Sequence, residues 1–327
     1  MGGGEADSIG YSMFSEQKLL DALPGVEVKV SDAARKLNAT PEVVVEVALR
    51  LQKKGCVRIR KPFLRERRIL KLKPRYEEGT KVIAVMNLKG GVGKTVTALN
   101  LAACLAEMGH KTLIVDLDPQ ASATSALNIR AKVTVYGLLV GTRAPAKAVH
   151  KTAYDNLYII PSELDLAGAE TEVMGVDAAY RLWEALEWVK DDFKYVIIDC
   201  PPSLSMLSVN ALTAANSVLV PVQCDHFALE SLQKLMQTLE LMKGINEDLH
   251  VEGILLTMYD PKCGISKQTA ARVKAAYGSI IFDAVVGRDG AIGEAASRGI
   301  PLIYYDRECG AAKAYLELAK EVGRNGR

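Results

Sequence analysis

Aromatic side chains are scarce in this chain of 327 residues: they make up 6% of it, with two Trp and five Phe. Its apolar content of 49% is therefore mostly aliphatic, the composition of a globular protein with a Val/Ile/Leu/Ala core. No apolar run approaches the roughly 18 residues that mark a membrane-spanning helix, so no membrane partner is expected. The opening stretch MGGGEADSIGYSMFSEQKLL lacks a basic start and an apolar run, so it reads as no secretory signal. Its first eight residues fit an acylation pattern superficially, but three glycines in an acidic start read better as a disordered terminus, residues 1–14. Six cysteines are present (Cys56, Cys104, Cys200, Cys224, Cys263 and Cys309), none at C-x-x-C spacing and none beside a His pair. That excludes the usual zinc and iron–sulfur patterns and leaves thiols buried in apolar runs, as in a cytoplasmic protein.

Net charge is also nearly absent, at +2, but it is unevenly spread. Residues 1–78 hold sixteen Lys/Arg against eleven Asp/Glu, a net +5, and the remainder is −3. Residues 53–75 alone carry eleven Lys/Arg and one acid, Glu66. Such a strip seeks a polyanion.

The strip belongs to a small N-terminal part, residues 15–74. Three helices are expected there: one opening at Ser15 and ending at Pro24-Gly25, one with Ser31 as N-cap, and one with Thr40 as N-cap, Pro41 first and Gly55 last. The third has an apolar stripe of Val44, Val47, Ala48 and Leu51. An alternating hairpin follows, with Val57 and Ile59 against Arg58 and Arg60, then Leu70 and Leu72 against Lys71 and Lys73. Helices followed by a hairpin with a basic tip, KPFLRERR, resemble a winged helix–turn–helix. Arg58, Arg60, Arg65, Arg67 and Arg68 are its candidate DNA contacts. Glu42 and Glu46 at the start of the third helix would repel phosphates, which favours binding through the wing or, alternatively, a protein contact.

A linker is expected at 75–80. From 81 to 327 the pattern changes to apolar runs alternating with helical stretches: KVIAVMN, KTLIVDLD, NLYIIPS, KYVIIDCPP, SVLVPVQ and VEGILLTMYD. This predicts an α/β domain, a mostly parallel sheet with helices on both faces.

Each chemical motif in that part falls at the end of a strand, where ligands bind in such sheets. After KVIAVMN comes NLKGGVGKT, Asn87 to Thr95. It departs from the usual phosphate loop, because Leu88 stands where the first glycine belongs and an extra lysine, Lys89, sits beside it. Gly90, Gly91 and Gly93 can still make the tight turn, and the amides of Gly90 through Val96, Val92 included, can cradle phosphate at a helix start. Lys94 can bridge β- and γ-phosphates, and Thr95 can offer a hydroxyl to Mg²⁺. LIVDLDPQ ends in Asp116 and Asp118, acids able to hold Mg²⁺ through water or to orient an attacking water. YVIIDCPPS ends in Asp199, the acid of a Walker B pattern.

Taken together, K-G-G-x-G-K-T, D-x-D-P-Q and I-I-D-x-P-P resemble the deviant-Walker ATPases, and among them the ParA/Soj partition family, over nearly all of residues 80–323. The resemblance implies a slow ATPase that uses ATP and Mg²⁺. It implies that Lys89 reaches across a nucleotide-sandwich homodimer to the ATP of the second copy. Lys94 and Thr95 would be the phosphate-loop contacts, Asp118 would orient the hydrolytic water and Asp199 would support Mg²⁺. Met258, in TMYD, and Arg288, in VGRDG, fall where relatives contact the base. Relatives bind DNA non-specifically as ATP dimers and release it on hydrolysis, which a ParB-like partner stimulates; a cytoplasmic, nucleoid-associated protein is implied.

The chain departs from that family in GRDGAIGEAAS, Gly287 to Ser297. Arg288 and Glu294 remain, but Ala291 and Cys309 replace basic residues, while Lys262 and Lys267 survive nearby as candidate DNA contacts. Alternatives are a nucleotide-gated transcription regulator and an ATPase that positions another cargo. A MinD-like membrane branch fits less well, because AAKAYLELAKEV reads as a packed helix and only GRNGR follows it.

Overall fold

The computed structural model describes residues 27–37, 44, 48, 57–60, 68–71, 79–172 and 178–324. The chain divides into two compact units between Glu78 and Gly79.

In the first unit, strand β1 (Glu27–Lys29) leads into helix α1 (Val30–Leu37), and β2 (Val57–Arg60) and β3 (Arg68–Lys71) form the expected hairpin. The strands pair antiparallel in the order β1-β3-β2, with Ile59 opposite Ile69 and Val28 also opposite Ile69. Strand β1 is a correction to the sequence reading, which placed no strand before the second helix; three residues are too few to show a period of two. Ala33, Ala34, Val44 and Ala48 are buried, so the two described residues of the stripe expected on the third helix, Val44 and Ala48, face inward; Ser31, expected as an N-cap, lies inside α1. The first expected helix, most of the third, the wing tip with Arg65 and Arg67, the terminus 1–14 and most of the linker lie outside the described residues.

The second unit is an eight-stranded sheet in the order β11-β10-β9-β4-β8-β5-β7-β6. Its strands are β4 (Lys81–Val85), β5 (Thr112–Asp116), β6 (His150–Lys151), β7 (Leu157–Ile160), β8 (Tyr195–Asp199), β9 (Ser217–Gln223), β10 (His250–Tyr259) and β11 (Ile281–Gly287). All neighbours are parallel except β6 against β7. The central strands are buried at every residue or nearly so, as in β5 and β8. A strand without a wet face must have helices on both sides. One side carries α2 (Lys94–Glu107) and α12 (Gly310–Arg324), whose Ala98, Ala102, Leu105, Tyr315 and Leu318 share a core with Ile83, Ile114, Ile197 and Leu255.

The remaining helices are α3 (Ser122–Ala126), α4 (Val135–Leu139), α5 (Leu166–Glu172), α6 (Arg181–Leu186), α7 (Met206–Ala214), α8 (Ala228–Met242), α9 (Gly264–Tyr277), α10 (Gly290–Arg298) and α11 (Leu302–Tyr305). Strands β6 and β11 were absent from the sequence reading. In β11 the burial alternates, with Phe282, Ala284 and Val286 inward and Asp283 outward, because it is a sheet edge. Glu321 of α12 covers part of that edge: its carboxylate accepts the Asp283 and Ala284 amides at 2.9 and 2.8 Å.

Candidate nucleotide site

Strand β4 is central, so its C-terminal loop lies between the ends of β8 and β9. The loop begins at Asn87, a fully buried side chain whose Nδ2 donates to the Pro221 carbonyl at 2.8 Å and whose Oδ1 accepts the Lys89 amide at 3.0 Å. It ends at Gly93, the N-cap of α2, which has φ 92°; Gly91 has φ 72°. These left-handed conformations are ones glycine adopts without strain. A Cβ on Gly90, Gly91 or Gly93 would meet nothing within 4 Å, so the space above the turn is open to a ligand. Val92 turns its side chain into the core and accepts the Thr257 hydroxyl at its carbonyl, 2.9 Å away, which ties the loop to β10. Val96 is half-buried against the core beneath α2, and the amides of both valines lie at the start of that helix.

The two lysines leave this loop in different directions. Lys94 is buried, and its Nζ donates to the Lys89 carbonyl at 3.1 Å. Burial lowers its pKa, while Asp199, Cys200 and Asp118 pull it back up. Lys89 is half-buried and its Nζ forms an ion pair with Asp225, in the turn between β9 and α8. It also stands 5.9 Å from the centroid of Phe227, a ring that is 59% exposed. Asp225 is held in turn by the Phe227 amide at its Oδ1, 3.1 Å, and by the Thr269 hydroxyl at its carbonyl, 3.2 Å.

Three carboxylates gather beside the loop. Asp116 and Asp199 are register partners on β5 and β8, so they leave the sheet side by side. Their environments differ. Asp116 accepts the Thr124 amide and hydroxyl at 2.8 and 2.7 Å and the Asp118 amide at 3.2 Å. Burial pushes it up to about 6 even so, against those hydrogen bonds. Asp199 is fully buried, and neither carboxylate oxygen has a hydrogen bond of full geometry. Burial raises its pKa well above the carboxylate range and Asp116 adds to the push, while the nearby Thr95 hydroxyl and Lys94 oppose it. Asp118 is half-buried; one of its oxygens takes the Gln120 amide at 2.9 Å, and its carbonyl takes the Ser162 hydroxyl at 2.8 Å. Of the D-x-D pair, then, Asp116 is committed to holding the loop and Asp118 is the acid with accessible surface.

The orphaned oxygens of Asp199 beside Thr95 fit a hard cation. Two protein oxygens suit Mg²⁺, which usually keeps water and substrate phosphate as its other ligands. Among the described residues there is no cluster of three or more His, Cys, Asp or Glu arranged for a metal.

At the other end, β10 and β11 bring Met258 and Arg288 together. Tyr259 is in register with Gly287, and the Arg288 amide donates to the Tyr259 carbonyl at 3.3 Å. Met258 has φ 51°, in the left-handed region that a non-glycine residue rarely occupies. Lys262 and Lys267 are exposed on the turn and helix that follow. Arg58, Arg60 and Arg68 lie on strands of the first unit. Sequence reasoning missed Asp225, Thr124 and Ser162, none of which stands in a motif with a fixed spacing to the loop.

Strand, glycine turn, buried lysine and strand-end acids define a phosphate-loop nucleotide-binding domain. A family model described as "AAA domain" matches residues 80–251. The chain is 45% identical over 251 residues to the sporulation initiation inhibitor protein Soj of Bacillus subtilis, covering 75% of this chain and 99% of that protein. It is 44% identical over 250 residues to the chromosome partitioning protein ParA of Caulobacter vibrioides, covering 74% and 93%. Among solved structures it is similar to cobyrinic acid a,c-diamide synthase of Mycobacterium smegmatis with bound ADP and magnesium, at TM-score 0.65 and 34% identity, covering 76% and 97%. The chain belongs to the ParA/Soj family of partitioning ATPases. No helix among the described residues is long and apolar enough to cross a membrane.

Proposed function

We propose that this protein is an ATP-hydrolysing partition protein: with ATP it closes as a homodimer and holds DNA, and hydrolysis lets go. The observation that carries the reading is the division of labour inside one loop, with Lys94 turned into the phosphate cradle and Lys89 turned out onto Asp225. A loop that binds phosphate in cis needs one ammonium. A second, held in a half-exposed ion pair with an acid on the next turn, suits a contact made only when a partner's nucleotide arrives.

The open amides of the loop and Lys94 hold the β- and γ-phosphates of ATP, and Met258 and Arg288 wall the base. Thr95 and Asp199 are the residues that would hold Mg²⁺, which when bound neutralises charge on the β- and γ-phosphates. Asp118 orients a water toward the γ-phosphorus; the bond to the bridging oxygen breaks, giving ADP and phosphate. Little covalent chemistry is asked of the protein, since phosphoryl transfer depends on positioning and charge. Lys89 leaves Asp225 for the nucleotide of the second copy, a charge-assisted contact of about 1.5–3 kcal/mol per site. Dimer stability then follows ATP occupancy. DNA is gripped by Arg58, Arg60, Arg65, Arg67 and Arg68 of the small unit with help from Lys262 and Lys267, because the larger unit has no excess of positive charge. A ParB-like protein is the partner expected to speed hydrolysis.

The test is DNA binding by wild type and Lys89→Ala with ATP, ADP or no nucleotide. ATP-dependent binding that Lys89→Ala loses is the expected result. Binding indifferent to nucleotide overturns the switch and leaves the small unit as a stand-alone DNA contact.

A further inference from the structure

The residue after Arg288 joins two elements. Asp289 caps two helices at once. Its Oδ1 accepts the Ala291 amide at 3.0 Å, in the first turn of α10, and its Oδ2 accepts the Ala311 amide at 3.1 Å, in the first turn of α12. Both helices aim the positive ends of their dipoles at it. The Ala311 bond, and after it the Ala291 bond, hold its carboxyl below the ordinary range.

What lies on either side gives this clamp a purpose. On one side is the base wall, since Arg288 is the adjoining residue and is itself bonded to the strand that carries Met258. On the other side is the phosphate helix. Tyr315 of α12, fully buried, places its hydroxyl 3.3 Å from that of Thr97, one turn into α2. Between α10 and α12, the Leu302 amide donates to Asn100 of α2 at 2.8 Å. A continuous run of contacts thus joins the helix that begins at Lys94 to the loop that carries Arg288, and Asp289 is the joint nearest the base.

Resting on the nucleotide reading above, we infer that Asp289 is a positioning residue that sets the base wall at a fixed distance from the phosphate cradle. It touches no reacting atom. The role requires an acceptor at both tips of the side chain. Asparagine has one acceptor oxygen and an amide nitrogen that would face an N–H, so it can cap one helix but not clamp two.

The test is calorimetric titration of the full chain with Mg-ATP and, separately, with Mg-tripolyphosphate, which probes the cradle without the base. In Asp289→Asn the affinity for ATP is expected to fall by about tenfold, the scale of one charge-assisted hydrogen bond, with tripolyphosphate affinity unchanged. Asp289→Ser keeps an oxygen for the Ala291 amide and cannot reach α12 as well; it is expected to show the same selective loss. ATP affinity unchanged in Asp289→Asn overturns the inference. So does an equal fall for both ligands, which would mark a general loss of structure, and so does a serine variant that behaves as wild type. Wild type that binds neither ligand would refute the nucleotide reading itself, a separate result.

Discussion

Lys94 and Lys89 are five residues apart on one loop and live in unlike surroundings. Lys94 is buried, bonded to a carbonyl of its own loop and drawn toward three neighbours that favour its charge. Lys89 is half-buried, ion-paired with an acid from another strand end, and stands beside an exposed ring. The first has its place fixed by α2, because it is the opening residue of that helix. The second is held by an ion pair whose partners each keep 28% of their side-chain surface open to solvent, a contact that a competing anion can reach. Rigid placement suits a residue that works in every turnover, and exchangeable placement suits one that works only in an assembly.

Replacing Lys94 should have the largest effect. Lys94→Ala is expected to lower the rate of ATP hydrolysis by about 10²–10³, the scale of losing one preorganised donor to developing charge; steady-state phosphate release reads it. A third set of cations, Arg65, Arg67 and Arg68, is proposed to meet DNA phosphates, and replacing them should leave hydrolysis alone. If the wing and a few body lysines neutralise about 4–6 phosphates, log K for DNA falls with log[salt] at a slope of about −4 to −5. Neutralising Arg65, Arg67 and Arg68 should flatten that slope by about 2–3, and an unchanged slope removes the wing from DNA binding.

Asp199 sharpens the contrast between working and resting states. Its buried, orphaned carboxylate is a cost to the ligand-free protein. Because its folded pKa is raised, stability of the ligand-free protein should increase as pH falls from that raised value toward the ordinary carboxylate range, with no dependence on this group above it, the reverse of a salt-bridged carboxylate. Asp199→Asn is expected to abolish Mg²⁺-dependent hydrolysis yet raise the melting temperature of the ligand-free protein by about 2–6 °C, for relief of about 1–2 kcal/mol. A lowered melting temperature would contradict the view that this acid is placed for a ligand. The smallest effect belongs to Asp225. Asp225→Ala frees Lys89 in the monomer, and about fivefold less ATP should then bring on DNA binding, with the melting temperature almost unmoved.

How much of this was legible beforehand depends on where the information sits in the chain. The cradle was readable because its chemistry is packed into nine consecutive residues and its acids close apolar strands. The D-x-D spacing could not say which acid is accessible, because Thr124, eight residues beyond Asp116, decides it through two hydrogen bonds. Met258 and Arg288 stand out only through resemblance, and Asp289 does not stand out at all: it reaches an amide 22 residues away, and only the β10–β11 register and the course of α12 bring the two together. Strand β11 is not legible in the sequence because an edge strand with Asp283 near its middle lacks the continuous apolar run of its neighbours. Asp225 sits in a turn whose sequence has no spacing rule to Lys89, 136 positions away.

The most direct test of the division between the two lysines measures Mg-ATP affinity and sedimentation together for Lys89→Ala and Lys94→Ala. The account predicts that Lys89→Ala binds Mg-ATP as tightly as the wild-type monomer but does not dimerise, while Lys94→Ala loses the nucleotide. A Lys89→Ala variant that dimerises with ATP as wild type does, or that loses ATP as Lys94→Ala does, would contradict it.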